Sequence, residues 1–313
     1  MQTWKRRASW VPAAIVILAI ASGGKAPAGQ SRNDTTHPAV PVADPSWPEV
    51  NLNVVVLDRK DAPQSIDEHQ CQLFEDGAER RLEFRGSPDS PISVALIIDS
   101  SGSMYKRRDL VIAAVHAMVK ALPEGSEVAA VLFADQSYLD LPFTPVSKVD
   151  FSFLDRLNPR GGTAFYDAVV ATEKYFGAHA GYVRRALVLV SDGVDNSSHS
   201  RLEDAIRSLQ WPGAPAIYSL YGYDKWASYA EIEHGHRTME ALAKAGGGAA
   251  FTPRDKDFVT TSVALAAVIR SQYVLRFTAA DPARNGKAHK LEVRLPIRDT
   301  QILALPLYYA PTR

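Results

Sequence analysis

Residues 95–111 read ALIIDSSGSMYKRRDLV, and the fold turns on them. An apolar run ends at Asp99, a turn containing Gly102 follows, and an amphipathic helical pattern begins soon after. Asp99, Ser101 and Ser103 occupy alternate positions, and Gly102 lets the backbone curl between them. One carboxylate and two hydroxyls can then converge just beyond the carboxyl end of a buried strand, where open α/β sheets hold their ligands. Every group in that loop offers oxygen, which suits a hard divalent cation and not a thiophilic metal.

Outward from this loop the chain alternates strand and helix. ISVALIID (92–99), SEVAAVLFA (126–134), RRALVLVSD (184–192), PAIYSLYGY (215–223) and GGAAFTP (247–253) read as strands. Helical patterns lie near 108–121, 164–176, 201–209, 236–245 and 255–272. Val/Ile/Leu-rich strands separated by such helices predict an α/β, doubly wound, mostly parallel sheet of Rossmann-like build, covered on both faces. Two later segments supply further oxygen ligands. NPRGGTAFYDAVVATEKYF (158–176) sets Thr163 after a Gly-Gly pair at a helix start, and RRALVLVSDGVDNSS (184–198) ends a strand at Asp192-Gly193. Parallel topology would bring Asp99, Ser101, Ser103, Thr163 and Asp192 to one sheet edge from three loops.

The flanks change character. NLNVVVLD (51–58) and CQLFEDGAERRLEFRG (71–86), with a turn at Glu75-Asp76-Gly77, predict β hairpins. YVLRFTA (273–279), KLEVRLPI (290–297) and ILALPLYYA (302–310) return to β character around a polar Asn285-Gly286 turn. Neither flank is large enough to stand alone, so residues 49–88 and 273–313 are expected to pair as one small all-β domain, with 91–272 inserted between them.

Asp-x-Ser-x-Ser at 99–103, Thr163 and Ser-Asp-Gly at 191–193 resemble the metal-ion-dependent adhesion site of von Willebrand factor A domains. The resemblance spans about 91–272. The flanking LFEDGAERRLEFRG and Tyr-Tyr-Ala-Pro segments resemble the secreted bacterial "VWFA-related domain" group. The resemblance implies direct coordination of Mg²⁺, with Mn²⁺ or Ca²⁺ as substitutes, by Ser101 and Ser103. Thr163 would join directly or through water, with Asp99 and Asp192 acting largely from behind. It also implies that an Asp or Glu of a partner protein completes the octahedron, so that the function is recognition without catalysis.

Composition supports a globular chain and excludes several classes. The 313 residues carry 35 Lys+Arg against 35 Asp+Glu, with no basic excess to displace counterions from nucleic acid. Cys71 is the single cysteine, which excludes an intrachain disulfide and a thiolate zinc site. Lys5, Arg6 and Arg7 precede an apolar run from Trp10 to Ala21 that is too short for a comfortable transmembrane helix of about 20 residues. Residues 1–21 read as a signal peptide cleaved after Ala21, with an uncleaved membrane anchor as the alternative, and 22–48 as a Pro/Ala/Gly-rich linker. Secretion or a periplasmic location follows, and the cleaved chain would carry a net charge of −3.

Plainer readings compete at other positions. Asp167 and Asp195 lie near the same loops but suit helix or turn hydrogen bonds equally well. Glu231, Glu233, His234 and His236 could bind a transition metal, although a solvated loop before a helix is the simpler expectation. Lys106-Arg107-Arg108 could steer an acidic partner, against a default of a solvated first turn. Trp211 and Trp226 read as loop anchors, and Cys71 as a buried β residue. Neither a Gly-x-Ser-x-Gly elbow nor a phosphate-binding P-loop occurs, and position 101 holds serine where an aspartate phosphotransferase wants a second acid. An envelope structural role, with the ion stabilising the loops, and a metal-dependent hydrolase remain as alternatives to partner binding.

Overall fold

The computed structural model describes residues 47–223 and 227–312. The expected signal peptide, most of the linker and Trp226 lie outside the described residues. The N-terminal flank supplies β1 (Glu49–Asp58), β2 (Pro63–Gln64), β3 (Gln72–Glu75), β4 (Ala78–Arg80) and β5 (Leu82–Gly86). The centre contains β6 (Ser93–Asp99), α1 (Arg108–Lys120), β7 (Glu127–Phe133), β8 (Ser137–Pro145), α2 (Phe165–His179), β9 (Arg185–Ser191), α3 (Leu202–Ser208), β10 (Ala216–Tyr221), α4 (Tyr229–Ala245), β11 (Ala250–Phe251) and α5 (Phe258–Arg270). The C-terminal flank adds β12 (Tyr273–Thr278), β13 (Ala288–Arg294), β14 (Thr300–Ala304) and β15 (Leu307–Tyr309).

The central sheet has the order β11-β10-β9-β6-β7-β8. Its strands are parallel except β8, which runs antiparallel to β7 at the edge. The α/β, mostly parallel class read from the sequence is therefore the observed one. Alternate residues of β6 serve opposite cores, as strand geometry requires. Val94, Leu96 and Ile98 pack with residues of α1 and α5, whereas Ala95 and Ile97 pack with residues of α2, α3 and α4. From β6 the chain proceeds to β7 on one side and later resumes at β9 on the other. The crevice between β6 and β9 is thus the topological switch point, and Asp99 and Asp192 stand at its two lips.

One expectation needs correction, and one strand is new. Strand β8 (Ser137–Pro145) is an addition to the strands expected from the sequence; its edge position tolerates Pro142 and Pro145, since one side makes no ladder. Helix α4 begins at Tyr229, not near 236, so Glu231, Glu233, His234 and His236 are helical and not loop residues. Its start is set by a capping box in which Ser228 accepts from the Glu231 N–H and the Glu231 carboxylate accepts from the Ser228 N–H.

The flanks form two antiparallel sheets. One has the order β14-β1-β12-β5, with β2 on β1; the other has the order β15-β13-β3-β4. Leu52, Val54 and Val56 of β1 face a core shared with Leu73, Leu291 and Tyr308, while Val55 and Leu57 enter the core of the central sheet. This two-sided burial explains the unbroken VVVL run. Asp76 and Gly77 both adopt positive φ (50° and 83°), the geometry of a two-residue hairpin turn. Tyr308 donates its hydroxyl to Glu75, and His289 Nδ1 lies 2.8 Å from Asp76 Oδ2. The Glu-Asp-Gly and Tyr-Tyr-Ala-Pro segments, far apart in sequence, therefore meet in one polar cluster.

Candidate metal centre

The switch-point crevice gathers three loops. Ser100 N–H donates to Phe133 O at 2.7 Å and Ala164 N–H to Ala134 O at 2.7 Å, tying the loop after β6 and the start of α2 to the end of β7. Gly102 N–H donates to Gly161 O at 3.2 Å, and Arg160 N–H to Ser100 O at 3.0 Å, so the Asp99 and Thr163 loops are stitched directly. Thr163 N–H reaches Asn196 Oδ1 at 2.8 Å, while the Asn196 and Ser197 N–H groups return to Thr163 O. The Thr163 and Asp192 loops are joined in the same way.

Within the crevice Asp99 is fully buried. Its Oδ1 accepts from Ser101 N–H at 2.8 Å and its Oδ2 from Ser191 Oγ at 2.6 Å. Ser191 in turn accepts from Gly193 N–H at 3.0 Å. Ser101 Oγ and Ser103 Oγ stand 3.0 Å apart, the first buried and the second exposed. Burial, then the neighbouring Asp192 charge, push the Asp99 carboxyl well above the usual carboxylate range. Asp192 is raised too, chiefly by burial, against the Ser103 hydroxyl, the Val194 N–H and the Arg107 charge, which pull it down. Thr163 and Asp192 are both buried. All five residues singled out in the sequence thus belong to one cluster of loops.

This arrangement fits a divalent cation. Two buried carboxylates oppose one another electrostatically, and among the described residues neither forms an ion pair with a Lys or Arg side chain. Ser103 is the member of the cluster that opens toward solvent. Among the described residues no group of three or more His, Cys, Asp or Glu side chains is arranged to hold a metal ion. The candidate donors here are two carboxylates and three hydroxyls, a hard-oxygen set of a different kind.

Several neighbours escaped sequence reading. Ser191, inside the Ser-Asp-Gly segment, is the buried hydroxyl that orients Asp99. Asn196 and Asp135 act on backbone, Asp135 Oδ1 accepting from Gly162 N–H at 2.8 Å. Gly193 has φ 71°, and a Cβ there would strike the Gly235 carbonyl, so α4 closes on the Asp192 loop through two glycines. Arg107 is not solvated. It is 7% exposed, donates from Nε to Tyr223 O at 2.6 Å and pairs with Asp255 at 2.6 Å. Arg108 similarly donates to Leu157 O at 2.6 Å.

The competing candidates resolve into structure. Asp167 accepts from the N–H groups of His199 and Ser200, and Asp195 from those of Tyr166 and Ser198, so both serve helix and turn hydrogen bonds. His234 is exposed on α4, while the partly buried His236 packs edge-on to Tyr221 and pairs with Glu240. Residues two apart on a helix do not share a face, so the His-x-His spacing brings no ligand pair together. Trp211 lies under the Arg185 guanidinium at 5.9 Å. Cys71 is buried immediately before β3, and burial pushes its thiol up to about 11. Among the described residues no helix is long and apolar enough to cross a membrane.

Comparison with known proteins completes the description. No curated protein matches the chain. Among solved structures, an aerotolerance-related membrane protein from Bacteroides fragilis is 17% identical, covering 57% of this chain and 98% of that one at a TM-score of 0.42. A mutant PilB minor pilin from Streptococcus sanguinis is 14% identical, covering 60% of this chain and 62% of that one at 0.47. A von Willebrand factor type A protein from Catenulispora acidiphila is 12% identical, covering 83% and 73% at 0.47. The family model of the von Willebrand factor type A domain matches residues 94–194, which run from β6 through the Asp99 and Thr163 loops to the Asp192 loop.

Proposed function

We propose that this protein is an exported, non-catalytic binding module. It would hold a divalent ion, Mg²⁺ first, at Asp99, Ser101, Ser103, Thr163 and Asp192, and engage a protein partner through an Asp or Glu carboxylate. The observation that carries this reading is the pairing of two buried carboxylates, Asp99 and Asp192, behind a hydroxyl pair that opens to solvent at Ser103. When bound, the ion supplies an under-neutralised positive centre, because the hydroxyls nearest the surface bring no charge. The chain's own residues do the positioning. Ser191 and the Ser101 N–H fix both oxygens of Asp99, the Gly102–Gly161 bond sets the loop spacing, and Asn196 holds Thr163. Export is supported by the basic residues 5–7 ahead of a short apolar run.

Calorimetric titration with Mg²⁺ tests the site. The wild-type protein is expected to bind the ion. Asp99→Ala combined with Ser101→Ala should abolish binding while circular dichroism shows the sheet still folded. Unchanged Mg²⁺ binding in that variant would overturn the assignment.

A further inference from the structure

Beside the metal loops lies a cleft of about 370 Å³ lined by Arg107, Tyr223, Pro253, Arg254, Asp255 and Lys256. Among the described lining residues three cations accompany one carboxylate, and Asp255 is already engaged by Arg107. Arg107 is more than nine-tenths buried, yet among the described residues its Nη1 has no hydrogen-bond partner. A buried guanidinium with an unused donor retains positive potential that an anion would satisfy. Arg254 pairs with Asp257 at 3.0 Å, but both side chains are substantially exposed, and such a pair is weak and free to exchange partners. Lys256 is exposed at the rim.

The cleft is coupled to the metal centre by a single turn. Gly102–Arg107 is one 3₁₀ segment, with Ser103 near its start and Arg107 at its end. Four residues at the 3₁₀ rise of about 2 Å separate the two by about 8 Å. An extended peptide covers that distance in two to three residues at about 3.3 Å each.

We infer that this cleft is a second anchor for an acidic peptide segment of the partner, taking a carboxylate two or three residues from the one directed at the metal centre. The inference rests on the ion-site reading for its register, and on the cleft's own charge for its ligand chemistry. A lone acidic residue satisfies the metal centre only; a doubly acidic segment satisfies both.

The test uses the full secreted chain and immobilised synthetic peptides. One peptide carries a single Asp in a Gly/Ser background, and two others add a second Asp two or three positions away. Binding is measured by surface plasmon resonance in Mg²⁺ and in EDTA, for wild type and for Arg254→Gln combined with Lys256→Gln. One charge-assisted contact of about 1.4 kcal/mol gives a tenfold preference for the doubly acidic peptides in the wild type. The double variant should lose that preference and keep Mg²⁺-dependent binding of the singly acidic peptide. In EDTA the wild type should still favour the doubly acidic peptides over the variant. Equal discrimination by wild type and variant, or no discrimination, overturns the second anchor. Binding of the singly acidic peptide that ignores Mg²⁺ overturns the ion site instead, and absence of all binding overturns both.

Discussion

Asp99 is held from every side. Fully buried, it accepts from Ser101 N–H and Ser191 Oγ and opposes Asp192. Its hydrogen bonds favour the charged form, while burial and the like charge oppose it, and the second pair of effects wins. Asp99→Asn keeps the shape and removes the repulsion. In EDTA the variant should be more stable than wild type by about 1 kcal/mol in urea unfolding, and should lose the Mg²⁺-induced rise in Tm. A variant less stable than wild type in EDTA would show that the two carboxylates are not in net conflict. The motif around Asp99 was legible because its members are close in sequence and their spacing is local chemistry. Arg107 was not, since its burial depends on Tyr223 and Asp255, more than a hundred residues away.

At the scale of elements, helices were legible where a full apolar stripe meets the core. The start of α4 was hidden because Ser228 and Glu231 form the cap in a polar stretch whose histidines drew attention to metal chemistry instead. Strand β8 carries Pro142 and Pro145, which an edge position tolerates, and the sequence reading did not include it. Helix α2 carries a second electrostatic conflict. Burial pushes Glu173 up to about 8, against the Trp211 indole and the Arg185 charge, which pull it down. A carboxyl whose folded pKa is raised holds its proton more tightly in the native state. Its stabilising contribution is therefore complete below about 4.5 and falls as pH rises through about 8. Urea midpoints measured between pH 5 and 9 should decline in the wild type, and Glu173→Gln should flatten that decline. An identical slope in both proteins would remove Glu173 as its source.

At the scale of the whole molecule, the flanking sheets and the central domain share one interior. Val55, Leu57 and Leu303 are buried in the central core, and Arg184, also buried, donates to the carbonyls of Ser90, Ile269, Arg270 and Gln272 where the flanks leave it. Each of the three apolar side chains contributes about 1.5–3 kcal/mol, a sum comparable to the roughly 5–15 kcal/mol that keeps a domain folded. Residues 91–272 expressed alone should therefore bind a hydrophobic dye and lose a cooperative thermal transition. A sharp melt at the wild-type Tm would show that the insert folds independently. The sequence by itself determined the alternation of strands and helices and the sheet class, and it marked five oxygen-bearing residues as candidates, because periodicity and loop chemistry are local. Only the tertiary structure decided which loops meet and how β1 serves two cores. It also decided that Ser191 orients Asp99, and that Arg107 turns away from solvent toward a cleft beside the candidate metal centre. Those outcomes depend on strand order and on partners distant along the chain, and no spacing within a single segment encodes them.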